Sequence, residues 1–208
     1  MIDRLDHVYW IGGGSGAGKS TVAARLADRY ALRVYSTDDA MADHAHRSPQ
    51  AAYLKMFAAM DMDERWLSRS PRVMLETFHW YRGEGFGPLL EDLAAFAPQP
   101  VVAEGFRLLP ELVAPLAAPG RAVWLLPTPD FRRSVFASRG WPQRGFVAET
   151  GDPHRALQNL LDRDEMFTER LRGSTAELGL PAIQVDGSQP AGRLASRVAA
   201  LFGLAGDA

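Results

Sequence analysis

Apolar residues along this chain follow two rhythms. Five short runs rich in β-branched and aromatic side chains, at residues 7–11, 32–36, 100–104, 122–126 and 181–185, read as strands. Between them the apolar positions return every three or four residues. Val22, Leu26 and Tyr30 do so in the first interval, and Leu194, Val198, Leu201 and Phe202 after the last run. Asp152-Pro153 opens a helix in which Leu157, Leu160, Leu161 and Phe167 face a core while Arg155, Arg163 and Arg170 stay on the polar side. Strands alternating with amphipathic helices predict an α/β fold, a three-layer α/β/α sandwich around a five-stranded parallel sheet with right-handed crossovers.

Two intervals depart from that alternation. Residues 41–98 hold three expected helices. Ser48-Pro49 and Ser70-Pro71 each set a cap before a proline, opening helices that carry Tyr53, Phe57 and Met60, then Val73, Met74, Phe78 and Tyr81; a third runs over 88–96. Residues 140–153 show neither rhythm and contain Pro142, Gly145, Gly151 and Pro153, which predicts a mobile loop with Arg144 at its middle. The chain, 1–208, is expected to be one domain that frays only at its last few residues.

The first strand runs into the most informative stretch. Gly13, Gly14, Ser15, Gly16, Ala17, Gly18, Lys19, Ser20 and Thr21 satisfy the pattern G-x-x-x-x-G-K-[ST], between a strand and a helix where the motif has meaning. Small residues let consecutive backbone N–H groups turn inward around phosphate oxygens, and the helix N-terminus adds partial positive charge. A structural glycine turn is the alternative reading, and the flanks favour a phosphate loop. Lys19 is expected on the β- and γ-phosphates and Ser20 on Mg²⁺, with Thr21 one residue out of register for the metal.

Acidic residues follow the second and third strands. Asp38 and Asp39 stand at a strand's C-terminal edge, where open parallel sheets bind ligands. One of them, Asp38 before Asp39, is expected to take a proton from an acceptor hydroxyl or to orient metal-bound water; capping of the next helix is the alternative. Glu104 ends the third strand at the place for a second magnesium-serving acid, so Ser20, Glu104 and Asp38 form the candidate metal set. Arg107 is read as meeting either an anionic acceptor or a surface carboxylate. Aromatic residues of the insertion, among them Trp66, Phe78, Trp80, Tyr81 and Phe86, either wall an acceptor pocket or simply fill core, and His44, His46 and Arg47 are placed at the same cleft or in solvent.

Arginines flank the loop at 140–153. Arg132 and Arg139 are seven residues apart and are expected to share a helix face. With Arg163 beyond the loop, they suggest a lid that closes over a transferring phosphoryl group, Arg139 and Arg163 being the preferred pair.

Composition narrows the setting. The formal net charge of −2 disfavours nonspecific nucleic-acid binding. There are no cysteines, which removes disulfides, thiolate metal sites and cysteine nucleophiles and is compatible with the cytoplasm. A first strand so near Met1 leaves no room for a signal peptide, and no apolar run approaches a membrane span. Lys19 and Lys55 are the only lysines, so a lysine in the glycine-rich loop stands out.

The loop at residues 13–21, the Thr37-Asp38-Asp39 string and Glu104-Gly105-Phe106-Arg107 together resemble the nucleoside-monophosphate-kinase-like branch of P-loop proteins, which includes adenylate, shikimate and gluconate kinases and chloramphenicol phosphotransferase. The resemblance implies a P-loop NTPase fold with strand order 2-3-1-4-5, a helical acceptor-side insertion at 41–98 and a lid at 140–153. It also implies lid-side phosphate contacts near Arg163-Asp164 and an adenine-side loop at Asp186 and Gly187, followed by Ser188. The expected activity is an ATP- and Mg²⁺-dependent kinase that phosphorylates a small molecule at a hydroxyl, the aromatic insertion pointing to a bulky or partly aromatic acceptor, with no nucleic-acid or membrane partner, as a monomer or homodimer. Two alternatives stay open: a nucleoside-monophosphate kinase, and a nucleotide-binding switch or ATPase acting on a macromolecular partner.

Overall fold

Residues 4–204 are described by a computed structural model, and the end expected to fray lies outside that range. Strands β1 (Val8–Gly13), β2 (Arg33–Ser36), β3 (Val101–Glu104), β4 (Ala122–Pro127) and β5 (Ala182–Val185) form one sheet in the order β2-β3-β1-β4-β5, every pair parallel. Helices are α1 (Lys19–Tyr30), α2 (Met41–His46), α3 (Ala52–Ala59), α4 (Met62–Trp66), α5 (Pro71–Thr77), α6 (Phe86–Ala94), α7 (Pro110–Val113), α8 (Pro129–Ser138), α9 (Pro153–Glu177) and α10 (Ala191–Leu201).

Alternation along the strands divides the core into two layers. Tyr9, Ile11, Val102, Val123 and Leu125 pack against Val22 and Leu26 of α1 and Leu194 and Val198 of α10. Their sequence neighbours Val8, Trp10, Ala103, Trp124 and Leu126 face the other way, onto Met74, Leu89, Leu93, Leu160 and Phe167 from α5, α6 and α9. With both faces covered, β1, β3 and β4 are buried along their whole length, as parallel strands require. Each large apolar side chain so buried contributes roughly 1.5–3 kcal/mol.

Side-chain caps fix three helix starts that matter for the site. Ser70, Thr128 and Asp152 accept the N–H groups of Val73, Phe131 and Arg155, each before a proline. The insertion is more finely divided than periodicity suggests. It contains five α-helices and a 3₁₀ turn at His79–Arg82. Ser48-Pro49 opens no helix: α3 starts at Ala52, and its free N–H groups at Tyr53 and Leu54 are taken by Glu84 at 3.1 and 2.8 Å. The helix after Ser70 stops at Thr77, so Phe78 and Tyr81 belong to the turn beyond it.

Three other expectations change. Residues 140–153 include a 3₁₀ turn at Phe146–Glu149 with Val147 fully buried, and Gly151 N–H donates to Asp63 at 2.8 Å; the segment is packed against the insertion. Arg132 and Arg139 differ in burial: Arg132 is buried on α8, while Arg139 is the exposed C-cap residue. Leu201, the last residue of α10, lies 39% exposed at the fraying side of its stripe.

Candidate functional site

The phosphate loop sits at the C-terminal edge of the sheet between β1 and α1. Gly18 occupies the N-cap of α1 at φ +80°, a left-handed conformation that glycine adopts without strain, and nothing lies within 4 Å of where a Cβ would project. That open space above a helix N-terminus is a cradle suited to phosphate. Lys19 folds back so that its Nζ donates to the Gly14 carbonyl at 3.0 Å. Burial lowers its pKa, and the nearby carboxylates of Asp38, Glu104 and Asp164 oppose that shift.

An unexpected strut holds the loop from beneath. Arg132, 1% exposed, donates from Nε to the Ser15 carbonyl at 3.3 Å and from Nη2 to the Thr168 hydroxyl. Thr168 in turn donates to the Asp164 carbonyl at 2.8 Å. A Cβ on Gly14 would meet the Thr168 hydroxyl at 2.7 Å, so helix α9 presses directly on the loop.

The acidic residues separate into distinct roles. Asp38 lines the same cleft as Lys19, Ser20 and Thr21, whereas Asp39 does not, and its N–H bonds back to the Ser36 hydroxyl at 3.3 Å. Crowding by the protein raises the Asp38 pKa, against the pull of Lys19 and the Thr37 hydroxyl. Glu104 is buried at the end of β3, in register with Ile11 and Ser36, and the Ser20 hydroxyl lies against it. Its pKa is likewise raised by burial and pulled down by Lys19. Hard oxygen donors from Ser20, Glu104 and Asp38 around one lysine form a donor set that fits a magnesium ion.

Several arginines and histidines take positions that pattern alone does not show. Arg107 pairs with no surface carboxylate: it is 2% exposed, donates to the carbonyls of Thr37 and Gly85, both at 3.0 Å, and lies 3.9 Å above the Trp80 ring. Burial lowers its pKa to about 10. His44 is fully buried and bonds Asp92 at 2.8 Å, with Arg47 bridging Asp43, Glu91 and Asp92, so this trio braces α2 against α6 away from the cleft. Arg163, grouped by pattern with solvent-facing arginines, is buried beside Asp164 and over the rings of Trp66, Phe78 and Tyr81. Arg139 does line the cleft. Asp186 and Gly187 lie on the exposed turn after β5, where Asp186 accepts from Ser188 and Gly187 abuts the Phe131 ring.

The cleft continues from the loop into the insertion. Its volume is about 600 Å³; Trp66, Phe78, Trp80 and Tyr81 line it and at the same time belong to the buried core, and Phe86 does not line it. His79 lines it too, with a pKa lowered to about 4 by burial, and is therefore neutral at physiological pH. Among the described residues no helix is long and apolar enough to cross a membrane.

No family model and no curated relative matches the sequence. Solved structures do match over nearly the full length. The chain is similar to deoxyadenosine kinase from M. mycoides bound to dCMP and dCDP, with 11% identity, a TM-score of 0.54 and coverage of 94% of this chain and 98% of that one. The same kinase with dATP gives a TM-score of 0.52 at 11% identity, covering 94% and 99%. Shikimate kinase from Bacteroides thetaiotaomicron gives 0.51 at 16% identity, covering 95% and 98%. At such identity the likeness lies in the architecture, and with the observed strand order it establishes that this chain has the fold of the P-loop nucleoside-monophosphate-kinase-like proteins.

Proposed function

We propose that the chain is an ATP- and Mg²⁺-dependent phosphotransferase that phosphorylates a small molecule at a hydroxyl group. One observation carries the reading: Asp38 opens into the same cleft as Lys19 and Ser20, so a carboxylate and the glycine-rich loop face a single cleft. The fold likeness to kinases acting on small molecules agrees with it.

Residues 13–21 hold the donor phosphates, Lys19 neutralises the β- and γ-phosphoryl oxygens, and Asp186 and Gly187 border the purine. Ser20, Glu104 and Asp38 would hold magnesium, which would supply charge neutralisation and orientation of the phosphates. The acceptor oxygen bonds to the terminal phosphorus as the bond to the leaving diphosphate breaks, and the hydroxyl proton passes to an Asp38 carboxylate oxygen. Arg139, at the cleft beside Lys19, is the lid-side cation for the transferring group, and Arg163 is held in its pair with Asp164. The segment 140–153 closes the cleft and excludes water.

The test is ADP release from Mg-ATP with pooled neutral alcohols, phosphorylated acids and nucleoside monophosphates, Lys19→Ala serving as the blank. Stimulation by a pool of alcohols, lost in Lys19→Ala and in Asp38→Asn while Asp38→Asn keeps ATP affinity, is the expected result. Transfer that survives Asp38→Asn undiminished removes Asp38 as the base. Stimulation by monophosphates alone makes it a nucleoside-monophosphate kinase, and ATP binding with no stimulated pool returns the switch reading.

A further inference from the structure

Two consecutive carbonyls of the glycine-rich loop are each held by a cation. Lys19 donates to the Gly14 oxygen at 3.0 Å and Arg132 to the Ser15 oxygen at 3.3 Å. Ser15, Gly16 and Lys19 line the cleft and Arg132 does not, so the guanidinium reaches the loop from the protein side. Its far end is fixed by Thr168, whose hydroxyl accepts from Nη2 and donates to the Asp164 backbone carbonyl at 2.8 Å.

The contact sets more than the position of one oxygen. The Ser15–Gly16 peptide is trans and planar, which puts its C=O and N–H on opposite edges. Drawing the oxygen toward Arg132 turns the Gly16 N–H away from the protein and toward the cleft. That N–H has no partner among the described residues, whereas those of Gly14 and Ala17 are bonded to the carbonyls of Leu125 and Gly14. The loop alone does not choose this orientation. Gly16 sits at φ +80° and has no side chain, so its peptide rotates at little cost unless something outside the loop holds it.

Arg132 is also a buried charge without an ion pair. Both of its bonds go to uncharged oxygens, and no carboxylate pairs with it among the described residues. Burial lowers its pKa, and Asp164, itself paired with Arg163, opposes that shift only across space. A buried cation in that state is a cost to the free protein. Polyphosphate on the loop supplies the missing counter-charge, in surroundings where water screens it little.

We propose that Arg132 is a positioning residue for the donor phosphates: it aims the Gly16 N–H into the cleft by holding the Ser15 carbonyl, and its unpaired charge is matched when a polyphosphate lies on the loop. The proposal rests on the phosphotransferase reading only for naming that polyphosphate as ATP. It separates affinity from stability. Removing Arg132 withdraws an aligned donor and a cation from the bound phosphates, while in the free protein it relieves a buried charge. An arginine that merely braced the fold would change stability and leave the contacts to phosphate alone.

The experiment titrates the full chain with inorganic tripolyphosphate and with Mg-ATP, by calorimetry and by following the Gly16 amide resonance. Arg132→Met is expected to weaken both ligands by the same factor, about tenfold or more, the effect of losing one hydrogen bond to a charged group. Tripolyphosphate is expected to move the Gly16 amide proton downfield in the unaltered protein and much less in Arg132→Met. Arg132→Lys keeps the charge but lacks the planar fork that spans Ser15 and Thr168, and is expected to stay at least about threefold weaker than the unaltered protein. Thr168→Val keeps the shape of the site, frees Nη2 and is expected to weaken both ligands about threefold; it decides the matter if Arg132→Met does not fold. Unchanged affinities, or an undiminished Gly16 response in Arg132→Met, overturn the inference, as does full recovery in Arg132→Lys. Loss of affinity in the variants of a protein that binds Mg-ATP but transfers phosphate to no acceptor supports the inference and overturns the kinase reading. An unaltered protein that binds neither ligand overturns both.

Discussion

Replacing Arg163 by Met tests whether the cation belongs to Asp164 or is free to reach a phosphate. In the structure Asp164 Oδ1 accepts two bonds from Arg163 and one from Tyr81, and the two charged side chains are 5% and 1% exposed. Arg163→Met leaves the carboxylate buried with Tyr81 alone. Breaking a buried pair from one side costs about 3–5 kcal/mol, whereas replacing both partners by apolar groups of similar volume is close to neutral. For a chain of this size each kcal/mol moves Tm by roughly 2–4 °C, so the single variant is expected to melt about 10 °C lower. Equilibrium urea unfolding of Arg163→Met, Asp164→Leu and the double variant closes a cycle, with an expected coupling of about 2 kcal/mol or more. The exposed Arg72–Glu76 pair, 78% and 52% exposed, is the internal contrast and is expected to contribute under about 1 kcal/mol. Additive single variants, or a loss for Arg163→Met no larger than that of the surface pair, would falsify the committed-charge argument and free Arg163 to act as a lid arginine.

Two further outcomes follow from the same geometry. His79 has its pKa lowered from 6.5 to about 4 by burial, so between those values the unfolded chain binds the extra proton; stability is full above pH 6.5 and falls as pH drops toward 4, by about 3 kcal/mol. His79→Phe removes that dependence, and identical pH slopes of the urea midpoint for the two proteins between pH 7.5 and 4.5 would refute it. Gly105→Ala puts a Cβ 1.7 Å from the Thr37 hydroxyl at φ +152°, in a fully buried place, and is expected to cost at least 1–3 kcal/mol and to lower phosphotransfer by displacing Asp38. Gly87→Ala in α6 meets nothing within 4 Å and is expected to stabilise by up to about 1 kcal/mol; equal effects for the two glycines refute the steric account.

What could be read from the sequence was local. The phosphate loop, the five strands and the caps at Ser70 and Asp152 rest on residues adjacent in the chain, and the structure has the strands and caps where the pattern puts them. Asp61 and Glu64 form a capping box whose three-residue spacing is equally local. The arginines were not legible in this way. Arg107 reaches Thr37, Arg132 reaches Ser15 and Thr168, and each is buried because of a partner distant in sequence, which local pattern does not show. Ser48-Pro49 misled for the converse reason, since the cap of α3 is supplied by Glu84 from another element. Which of Asp38 and Asp39 faces the cleft likewise depends on how the chain turns after β2, which adjacent residues alone do not set.

Helix α9 touches both halves of the cleft. Asp164 belongs to the ring-walled half, and Thr168, four residues on, meets Gly14 and Arg132 under the phosphate loop. Four residues of α-helix rise about 6 Å, a length set by backbone hydrogen bonding and insensitive to side-chain identity. The helix therefore works as a ruler: the offset between the floor of one compartment and the base of the other is counted in peptide units. Surface loops can lengthen or shrink without altering that offset, whereas one residue inserted between 164 and 168 would swing the two contacts about 100° apart and uncouple the compartments.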